Sequence, residues 1–375
     1  IKTIIIFIMI ILPIAIYIYS SGETTSLDKV IKEQLNSETE KLYGTALHDN
    51  TVNYKRHMLN STESKIIALG SSRILQFRAN MFLDSFYNAG RVMGSINAGS
   101  LVIKDIIKKN PEIVFINVDP WWFNENYQKS SVSIDDVNSS FDPNDAYPIK
   151  ITHIKDVAKW LFSKKLTFDD LYNTIFYRQS NIGISASKGD GYGVDGAYYN
   201  TRQITGQSPP ESELFDNEIQ RIKNNKGNLK YGSSAGDQHI DNFTSLVEKI
   251  SNSGAKVVVF FPPFALKLHE LFQAKGENYK YMDDIREKLT KNGIEYFDFS
   301  DPRVIDSDTC EFFDGTHGGE ITYARILLEL ANKRKDIQKY INTKYLKAIL
   351  KKYHGSTFVP NAEITSLPEI DFLEI

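Results

Sequence analysis

The feature that most constrains the fold is a series of short apolar runs that alternate with helical patterns. These runs consist mainly of Ile, Val, Leu, Phe and Ala, without the polar alternation of a half-exposed strand. Strands buried on both faces of a parallel sheet have this composition. The predicted strands or strand ends lie at 65–69, 86–90, 112–118, 256–261 and 294–299. The pattern predicts a three-layer α/β/α fold around a central, mainly parallel sheet.

Apolar residues at helical spacing separate these runs and predict the crossover helices. The predicted helices lie at 74–82, 96–109, 240–250, 281–289 and 321–330. Residues 121–237 interrupt the alternation, and an insertion of this length between strands is typical of a cap over a site. Within it, the Gly- and Asp-rich segment 188–196 predicts a mobile loop. Tyr192 and Val194 occupy positions where a calcium loop of the EF-hand type needs oxygen ligands.

Residues 3–19 are apolar and uncharged, and Lys2 precedes them. About 17–25 apolar residues span a bilayer as a helix, so we predict a single transmembrane anchor at 1–20, with the rest of the chain outside the cytoplasm. A cleaved signal peptide is the alternative. The remaining predicted parts are a stalk and docking segment at 21–64, the α/β domain at 65–334 and a C-terminal extension at 335–375.

Charge and cysteine content exclude several classes of protein. The net charge is −3 and the basic residues are dispersed, which does not favour nucleic-acid binding. Cys310 is the single cysteine, so it forms no intramolecular disulfide and provides no zinc site. We predict that Cys310 is a small core residue, and that the protein needs neither a metal nor a cofactor.

Two distant motifs carry the residues of a nucleophilic site. Gly70-Ser71-Ser72 follows the first predicted strand, and Asp314 precedes His317 by three residues ahead of the last core helix. A serine hydroxyl needs a base to take its proton and an acid to orient that base. We expect Gly315 to give this turn its backbone freedom. The alternative is that Asp314 belongs to an ordinary exposed turn or caps the following helix.

The predicted topology brings further polar residues to the same place. Ser72, Gly90, Asp119 and Pro262 each lie just beyond the end of a predicted strand. Active groups of open α/β sheets gather beyond the carboxyl ends of the strands. The sequence therefore predicts one shared site at this edge.

These motifs resemble, in their order, those of the SGNH (GDSL-like) hydrolase superfamily. The resemblance covers roughly 65–120 and 240–332, and its nearest branch contains the membrane-anchored proteins of teichoic acid D-alanylation and polysaccharide O-acetylation. It implies a flavodoxin-like fold, Ser72 as nucleophile, His317 as general base and Asp314 as orienting acid. Here Ser71 stands where the family motif has Asp. For the oxyanion hole, the resemblance implies the backbone of Ser72 and of Gly94, with Gly90 as the alternative.

The third motif of the family supplies an asparagine side chain, and this sequence has no clean Gly-x-Asn. Asn117 falls inside the predicted strand, and Asn124 is a weak candidate donor. Four residues are candidates for substrate binding, and the arginine and the two tryptophans among them also have a structural alternative. Arg73 would bind an anionic group or pair with an acid, while an aromatic side chain would stack on a sugar or fill the core. The four are Arg73, Asp119, Trp121 and Trp122.

The resemblance implies a serine esterase or O-acyltransferase acting on acyl groups, most simply acetyl groups, of a cell-surface polysaccharide. A polytopic membrane O-acyltransferase is the implied partner. Two alternatives are a catalytically inactive scaffold that binds a glycan or an assembly partner, and a hydrolase for a small ester or lipid.

Overall fold

The computed structural model describes residues 2–127, 142–177, 180–200 and 215–360. Five parallel strands form the central sheet in the order β2-β1-β3-β6-β7, and β4 pairs with β5 in a separate antiparallel hairpin. The strands are β1 Ile66–Gly70, β2 Phe86–Gly90, β3 Ile113–Asn117, β4 Asp190–Tyr192, β5 Tyr198–Asn200, β6 Lys256–Phe261 and β7 Tyr296–Asp298. The predicted mixed α/β class with a parallel sheet is confirmed.

Helices flank this sheet and continue into the insertion. The first seven are α1 Lys2–Ser20, α2 Leu27–Leu35, α3 Thr51–Ser61, α4 Ile96–Lys108, α5 Ile151–Phe162, α6 Phe168–Phe176 and α7 Ile184–Ser187. The others are α8 Asp216–Lys223, α9 Asp237–Asn252, α10 Leu266–Ala274, α11 Lys280–Lys291, α12 Glu320–Lys333 and α13 Thr343–Lys352.

Successive residues of each central strand enter two different cores, because side chains alternate between the faces of a sheet. Ile67 and Leu69 of β1 pack on one face with α2, α3, α4, α9 and α11. Ile66 and Ala68 pack on the other face with α12 and α13. Both faces are therefore covered, which explains the continuous apolar composition of the strands. The segment 21–64 contributes α2 and α3 to the first of these cores.

The predicted helix at 74–82 is wrong. The chain forms two short 3-10 turns instead, Ser72–Ile74 and Ala79–Met81. The buried Asn88 amide of the neighbouring strand donates to the carbonyl oxygens of Ile74 at 2.9 Å and Phe77 at 3.1 Å. An α-helix would need those carbonyls for its own N–H groups four residues later. The tertiary contact with Asn88 thus replaces the local helix.

The Gly- and Asp-rich segment contains a β-hairpin, so the prediction of a loop there is wrong. β4 pairs with β5, and Tyr192 also exchanges two backbone hydrogen bonds with Tyr43. Asp195 closes the turn by accepting from the N–H of Ala197 at 2.9 Å. The tyrosines supply the apolar packing that a glycine-rich stretch lacks, since Tyr192 is buried between Tyr54 and Tyr198.

The N-terminal segment forms helix α1, and Ile14, Tyr17 and Ile18 near its end are buried in a small core with α5 and α6. Across the described ranges, no helix reaches the length and apolar content needed to cross a bilayer. The transmembrane anchor predicted for residues 1–20 is thus unsupported.

Beyond residue 334, α13 packs on α12 and on the turn before β2. Asn342 donates its N–H to the carbonyl of Met81 at 2.9 Å. The predicted extension therefore packs on the second core as far as Val359, and its last part, 361–375, lies outside the described residues. Cys310 is exposed, so its predicted place in the core is wrong.

Candidate active site

The three residues predicted to act together meet at the carboxyl edge of the sheet. Ser72 begins the 3-10 turn that follows β1, and its Oγ lies 2.9 Å from Nε2 of His317. Nδ1 of His317 lies 2.8 Å and 3.0 Å from the two carboxylate oxygens of Asp314. A nucleophile, a base and an orienting acid within hydrogen-bonding reach form the geometry of a Ser-His-Asp triad. Ser72 and His317 are separated by 245 positions along the chain.

The Asp314 side chain is held in place by its own turn. Its Oδ1 accepts from the backbone N–H groups of Thr316 at 2.7 Å and His317 at 2.9 Å, and from the Thr316 hydroxyl at 3.0 Å. The Asp-x-x-His spacing therefore lets one carboxylate both close the turn and bind the imidazole. Gly315 has no positive φ, so the expected backbone freedom is wrong. A Cβ there would lie 2.6 Å from the Leu268 side chain, so this position needs glycine because a larger residue would not fit.

The electrostatics of the pair suit a general base. Burial lowers the pKa of His317, but the Asp314 carboxylate outweighs burial, and the net pKa of the imidazole is raised above its ordinary value. Burial also acts to raise the pKa of Asp314, while His317 and the backbone N–H groups lower it far more, so its net pKa falls well below the usual range. Asp314 thus stays ionised, and its carboxylate oxygens accept a hydrogen bond from Nδ1, so the imidazole proton is assigned to Nδ1. Nε2 is then left to accept from the Ser72 hydroxyl.

Asn117, which was predicted to lie inside a strand, holds the turn that carries Ser72. It is the last residue of β3, and its Oδ1 accepts from the N–H of Ser71 at 3.1 Å. A Cβ on Gly70 would lie only 1.6 Å from this oxygen, so the contact requires glycine at position 70. The signal was present in the sequence, because an amide at the end of an apolar strand seldom lacks a partner.

Arg73 is buried, and the structure does not place it among the residues that line the cavity. Its Nε donates to the carbonyl of Thr316 at 2.8 Å, and one terminal nitrogen donates to the carbonyls of Pro262 and Pro263 at 2.9 Å and 2.8 Å. The other lies 3.4 Å from Asp119. The substrate-binding prediction for Arg73 is therefore wrong. Its guanidinium instead joins the ends of β1, β3 and β6 to the loop that carries His317.

The candidate oxyanion donors differ in their surroundings. Gly94 and Ser72 both line the cavity. The chain before Gly94 folds along the end of β1, where Arg91 and Met93 donate their N–H groups to the carbonyls of Ser71 and Gly70. Within the described residues, the N–H of Ser72 donates to no acceptor. The alternative, Gly90, does not fit, because its N–H donates to Oδ1 of Asn88 at 2.9 Å.

Asn124 does not reach the site. It is fully buried, and its amide donates to the carbonyl of Lys230 at 2.9 Å while its Oδ1 accepts from the N–H of Asn126. Asn124 also forms an isolated bridge with Ala235. Its side chain therefore closes the base of the insertion, and its predicted part in the oxyanion hole is wrong.

Two of the remaining substrate-binding candidates line the cavity and one does not. Asp119 is buried at the cavity wall and accepts from the amide of Asn117 at 3.0 Å. Burial raises the pKa of Asp119, and the nearby Arg73 opposes that effect only in part. Trp121 also lines the cavity, with its ring 5.6 Å from the Arg73 guanidinium. Trp122 is buried and absent from the lining, which supports the alternative that it is a core residue.

The triad opens into a cavity of about 1100 Å³. Residues of the insertion, among them Tyr127, Tyr192 and Tyr198, line part of this cavity. The lining combines aromatic rings with amide and charged groups. Its members outside the triad include Asn50, Asn53, Arg91, Trp121, Tyr127, Tyr192, Tyr198, Asn200, Arg221 and Asn228. Aromatic faces and hydrogen-bonding groups together suit a carbohydrate better than an aliphatic chain.

A cluster of possible metal ligands lies apart from these lining residues. Ligand atoms of Asp308, Glu311 and His354 all fall within 4.8 Å of one another. Glu311 is buried, and both of its oxygens accept from Arg325. The ion pair with Arg325 explains why a carboxylate is buried here. In the part of the chain that the structure describes, no group of possible metal ligands of this kind includes a residue of the triad.

No family model matches the chain, and comparison with curated proteins finds no significant match.

Proposed function

We propose that this protein is a serine esterase or O-acyltransferase that acts on acyl groups, most simply acetyl groups, of a cell-surface polysaccharide. The observation that carries the proposal is the continuous hydrogen-bonded chain from Ser72 Oγ through His317 to Asp314. It opens into a cavity large enough for a sugar. The cell-surface location and a polytopic membrane O-acyltransferase as partner belong to the same proposal. The location rests on the sequence of residues 1–20 and on the resemblance, and the partner rests on the resemblance alone.

In the first half-reaction, Ser72 Oγ attacks the acyl carbonyl carbon while His317 Nε2 takes the hydroxyl proton. The Asp314 carboxylate stabilises the imidazolium that forms. The negative charge on the carbonyl oxygen is stabilised by the N–H of Ser72, and the family resemblance implies Gly94 as the second donor. One such donor typically contributes about a hundred- to a thousand-fold in rate. The bond to the leaving oxygen then breaks, that oxygen takes the proton from His317, and an acyl-serine remains.

In the second half-reaction, His317 removes a proton from the incoming acceptor as its oxygen attacks the acyl-serine. Water as acceptor releases a free acid, which is deacylation. A sugar hydroxyl as acceptor forms a new ester, which is transfer. In both cases the proton returns to Ser72 Oγ as the acyl bond breaks. The polar and aromatic cavity lining supports a sugar as donor or acceptor over a simple lipid.

A fluorophosphonate probe tests the proposal directly, because it labels only a serine activated by a base. We expect labelling of the full chain and its loss in Ser72→Ala. The matched control is Ser100→Ala on α4, where the hydroxyl donates only to the carbonyl of Ile96 and labelling should persist. Labelled Ser72→Ala, or folded wild-type protein that stays unlabelled, would contradict the proposal.

A second candidate is a catalytically inactive scaffold that binds a glycan or an assembly partner. One observation favours it. The two candidate asparagines form other contacts. Asn117, at the end of β3, binds Ser71 and Asp119, whereas Asn124 binds the base of the insertion. Neither amide is therefore directed at an oxyanion. The scaffold hypothesis predicts glycan binding that Ser72→Ala leaves unchanged, together with an unlabelled wild-type protein.

A further inference from the structure

Three helices that pack together carry most of the exposed large apolar side chains. α1 contacts both α5 and α6. Ten of the thirteen exposed large apolar residues among those described lie on these helices or directly beside them. We call these ten the docking surface: Leu12, Ile16, Tyr19, Ile149, Ile151, Phe162, Phe168, Tyr172, Phe176 and Tyr177. Scattered apolar residues on a surface are ordinary, but a concentration of this kind marks an interaction site.

Helix α6 shows why this surface needs a partner. Phe168, Tyr172 and Phe176 recur every four residues along one face, and they are 78%, 54% and 68% exposed. The opposite face of α6 is apolar as well, but it is packed: Leu171 is buried in the core shared with α1 and α5. A helix that is apolar on two faces, one of them unpaired, is the pattern of a helix between two apolar environments. The first environment is the protein core.

The docking surface is attached firmly to the α/β domain. Glu23, just after α1, is buried and accepts from the N–H groups of Ala46 at 2.7 Å, Leu47 at 3.2 Å and Ile184 at 2.9 Å. These bonds fix the end of α1 to the loop before α3 and to the start of α7. Any surface bound by α1 would therefore hold the whole domain in one orientation.

The charges around the docking surface select the type of partner. Five exposed lysines lie on or beside α5 and in the link to α6: Lys150, Lys155, Lys159, Lys164 and Lys165. They outnumber the three aspartates of the same two helices, Asp156, Asp169 and Asp170, the last of which lies 4.0 Å from Lys188. None of the five forms a salt bridge with any described residue; the ion pairs of the region involve other side chains. Lys165 lies over the ring of Trp160, with its ammonium 4.9 Å from the ring centre. Exposed aromatics with unpaired lysines beside them match an anionic lipid surface, where rings enter the interface and ammonium groups meet headgroups.

We propose that the docking surface binds the face of an anionic lipid bilayer, with α1, α5 and α6 lying at the boundary between headgroups and acyl chains. A second copy of the chain is a poorer occupant, because two such surfaces would bring their lysines together. This proposal goes beyond the acyl-transfer proposal and does not depend on the chemistry of Ser72.

Co-sedimentation of the full chain with vesicles tests it. The vesicles contain phosphatidylcholine alone, or phosphatidylcholine and phosphatidylglycerol in equal parts. We expect sedimentation with the mixed vesicles, and a partition coefficient at least about tenfold lower for the triple variant Phe162→Ser, Phe168→Ser and Phe176→Ser, since each ring would lose its burial in lipid. The matched control changes three exposed apolar residues elsewhere to serine, and it should bind like the wild type: Leu35, Leu83 and Val304.

A charge-reversal variant tests the second part of the argument. Lys164→Glu with Lys165→Glu should remove the preference for phosphatidylglycerol, and added salt should weaken wild-type binding. All substituted side chains are exposed, so unchanged thermal unfolding would show that the fold is retained. Fluorophosphonate labelling of the triple variant in the absence of vesicles should equal that of the wild type.

Three results would each overturn the proposal. One is equal vesicle binding by the wild type and the triple phenylalanine variant, which would assign binding to other residues, such as the apolar segment 3–11. Another is the absence of wild-type sedimentation with either vesicle. The last is lipid-free dimerisation that the triple variant abolishes, since a second copy would then cover the surface.

Discussion

Replacing Asp314 with Asn tests whether His317 is a base oriented by this carboxylate. The substitution keeps the size of the side chain and its acceptor oxygen for the Thr316 and His317 N–H groups. It removes the negative charge and presents an NH2 group to His317 Nδ1, which favours the wrong imidazole tautomer. The turn should therefore keep its shape while the base loses both its orientation and its stabilising charge.

The expected loss of rate follows from the distance between the two groups. Opposite unit charges at the 2.8 Å separation of Asp314 and His317 attract by about 6 kcal/mol at an effective dielectric constant of ~20 and by about 1.5 kcal/mol in bulk water. Both side chains are about one-third exposed, so the true value lies between these limits. The acylation rate of Asp314→Asn should thus fall by between about tenfold and about ten-thousand-fold.

The pH profile separates this mechanism from simple damage to the fold. His317 accepts a proton only when it is neutral, so activity is lost as pH falls through its pKa. In the wild type that pKa is raised, because the Asp314 carboxylate outweighs burial. In Asp314→Asn burial acts without this opposition, so the pKa of His317 should fall and the acidic limb should move to lower pH.

The assay is the rate of labelling by a fluorophosphonate, or of hydrolysis of an acylated sugar, measured across the acidic range. The matched control is Asp308→Asn, which alters an exposed Asp beside another histidine, 3.4 Å from His354, and should change neither the rate nor the limb. An Asp314→Asn variant with the wild-type rate, or a slower variant whose acidic limb stays in place, would refute the role given to Asp314.

Two further substitutions test the contacts that build the site. Arg73→Met should lower the free energy of unfolding in urea by about 3–5 kcal/mol, because it leaves the Asp119 carboxylate buried without its cation. Adding Asp119→Asn should recover part of that loss, whereas additive effects of the two substitutions would show that the pair is not coupled. Gly70→Ala should reduce both labelling and the free energy of unfolding, the latter by about 1–3 kcal/mol, because the new Cβ would displace Asn117. Unchanged labelling would show that Asn117 does not orient the Ser72 turn.

The fold was predictable because most strands of the central sheet are buried on both faces, and β1, β2 and β3 are buried along their whole length. Such strands leave a local record, a continuous apolar run, and the predicted run at 256–261 coincides with β6. The failed helix at 74–82 had the right local composition, but Asn88 takes two of the carbonyls that the helix needs. Local propensity is a weak prior when a buried polar group from another strand competes for the same backbone.

The triad was predictable for a different reason. Asp314 binds its own turn and lies three residues before His317. Two of the three triad residues therefore fall within four consecutive positions of the sequence. No comparable sequence motif indicates the role of Arg73. Its acceptors are mostly backbone carbonyls of Pro262, Pro263 and Thr316, and any residue type could have supplied them. Sequence patterns indicate side-chain chemistry, whereas a side chain that binds distant backbone becomes visible only in the folded chain.

The insertion connects the two proposals. Its hairpin places Tyr192 and Tyr198 in the cavity wall, while α5 and α6 carry much of the docking surface. Between these parts, Ile184 at the start of α7 donates to Glu23 at the end of α1. A bilayer that binds α1, α5 and α6 would therefore hold the cavity at a set distance and angle from the lipid. An enzyme arranged in this way would favour acyl groups presented at a constant height above the membrane over the same groups free in solution.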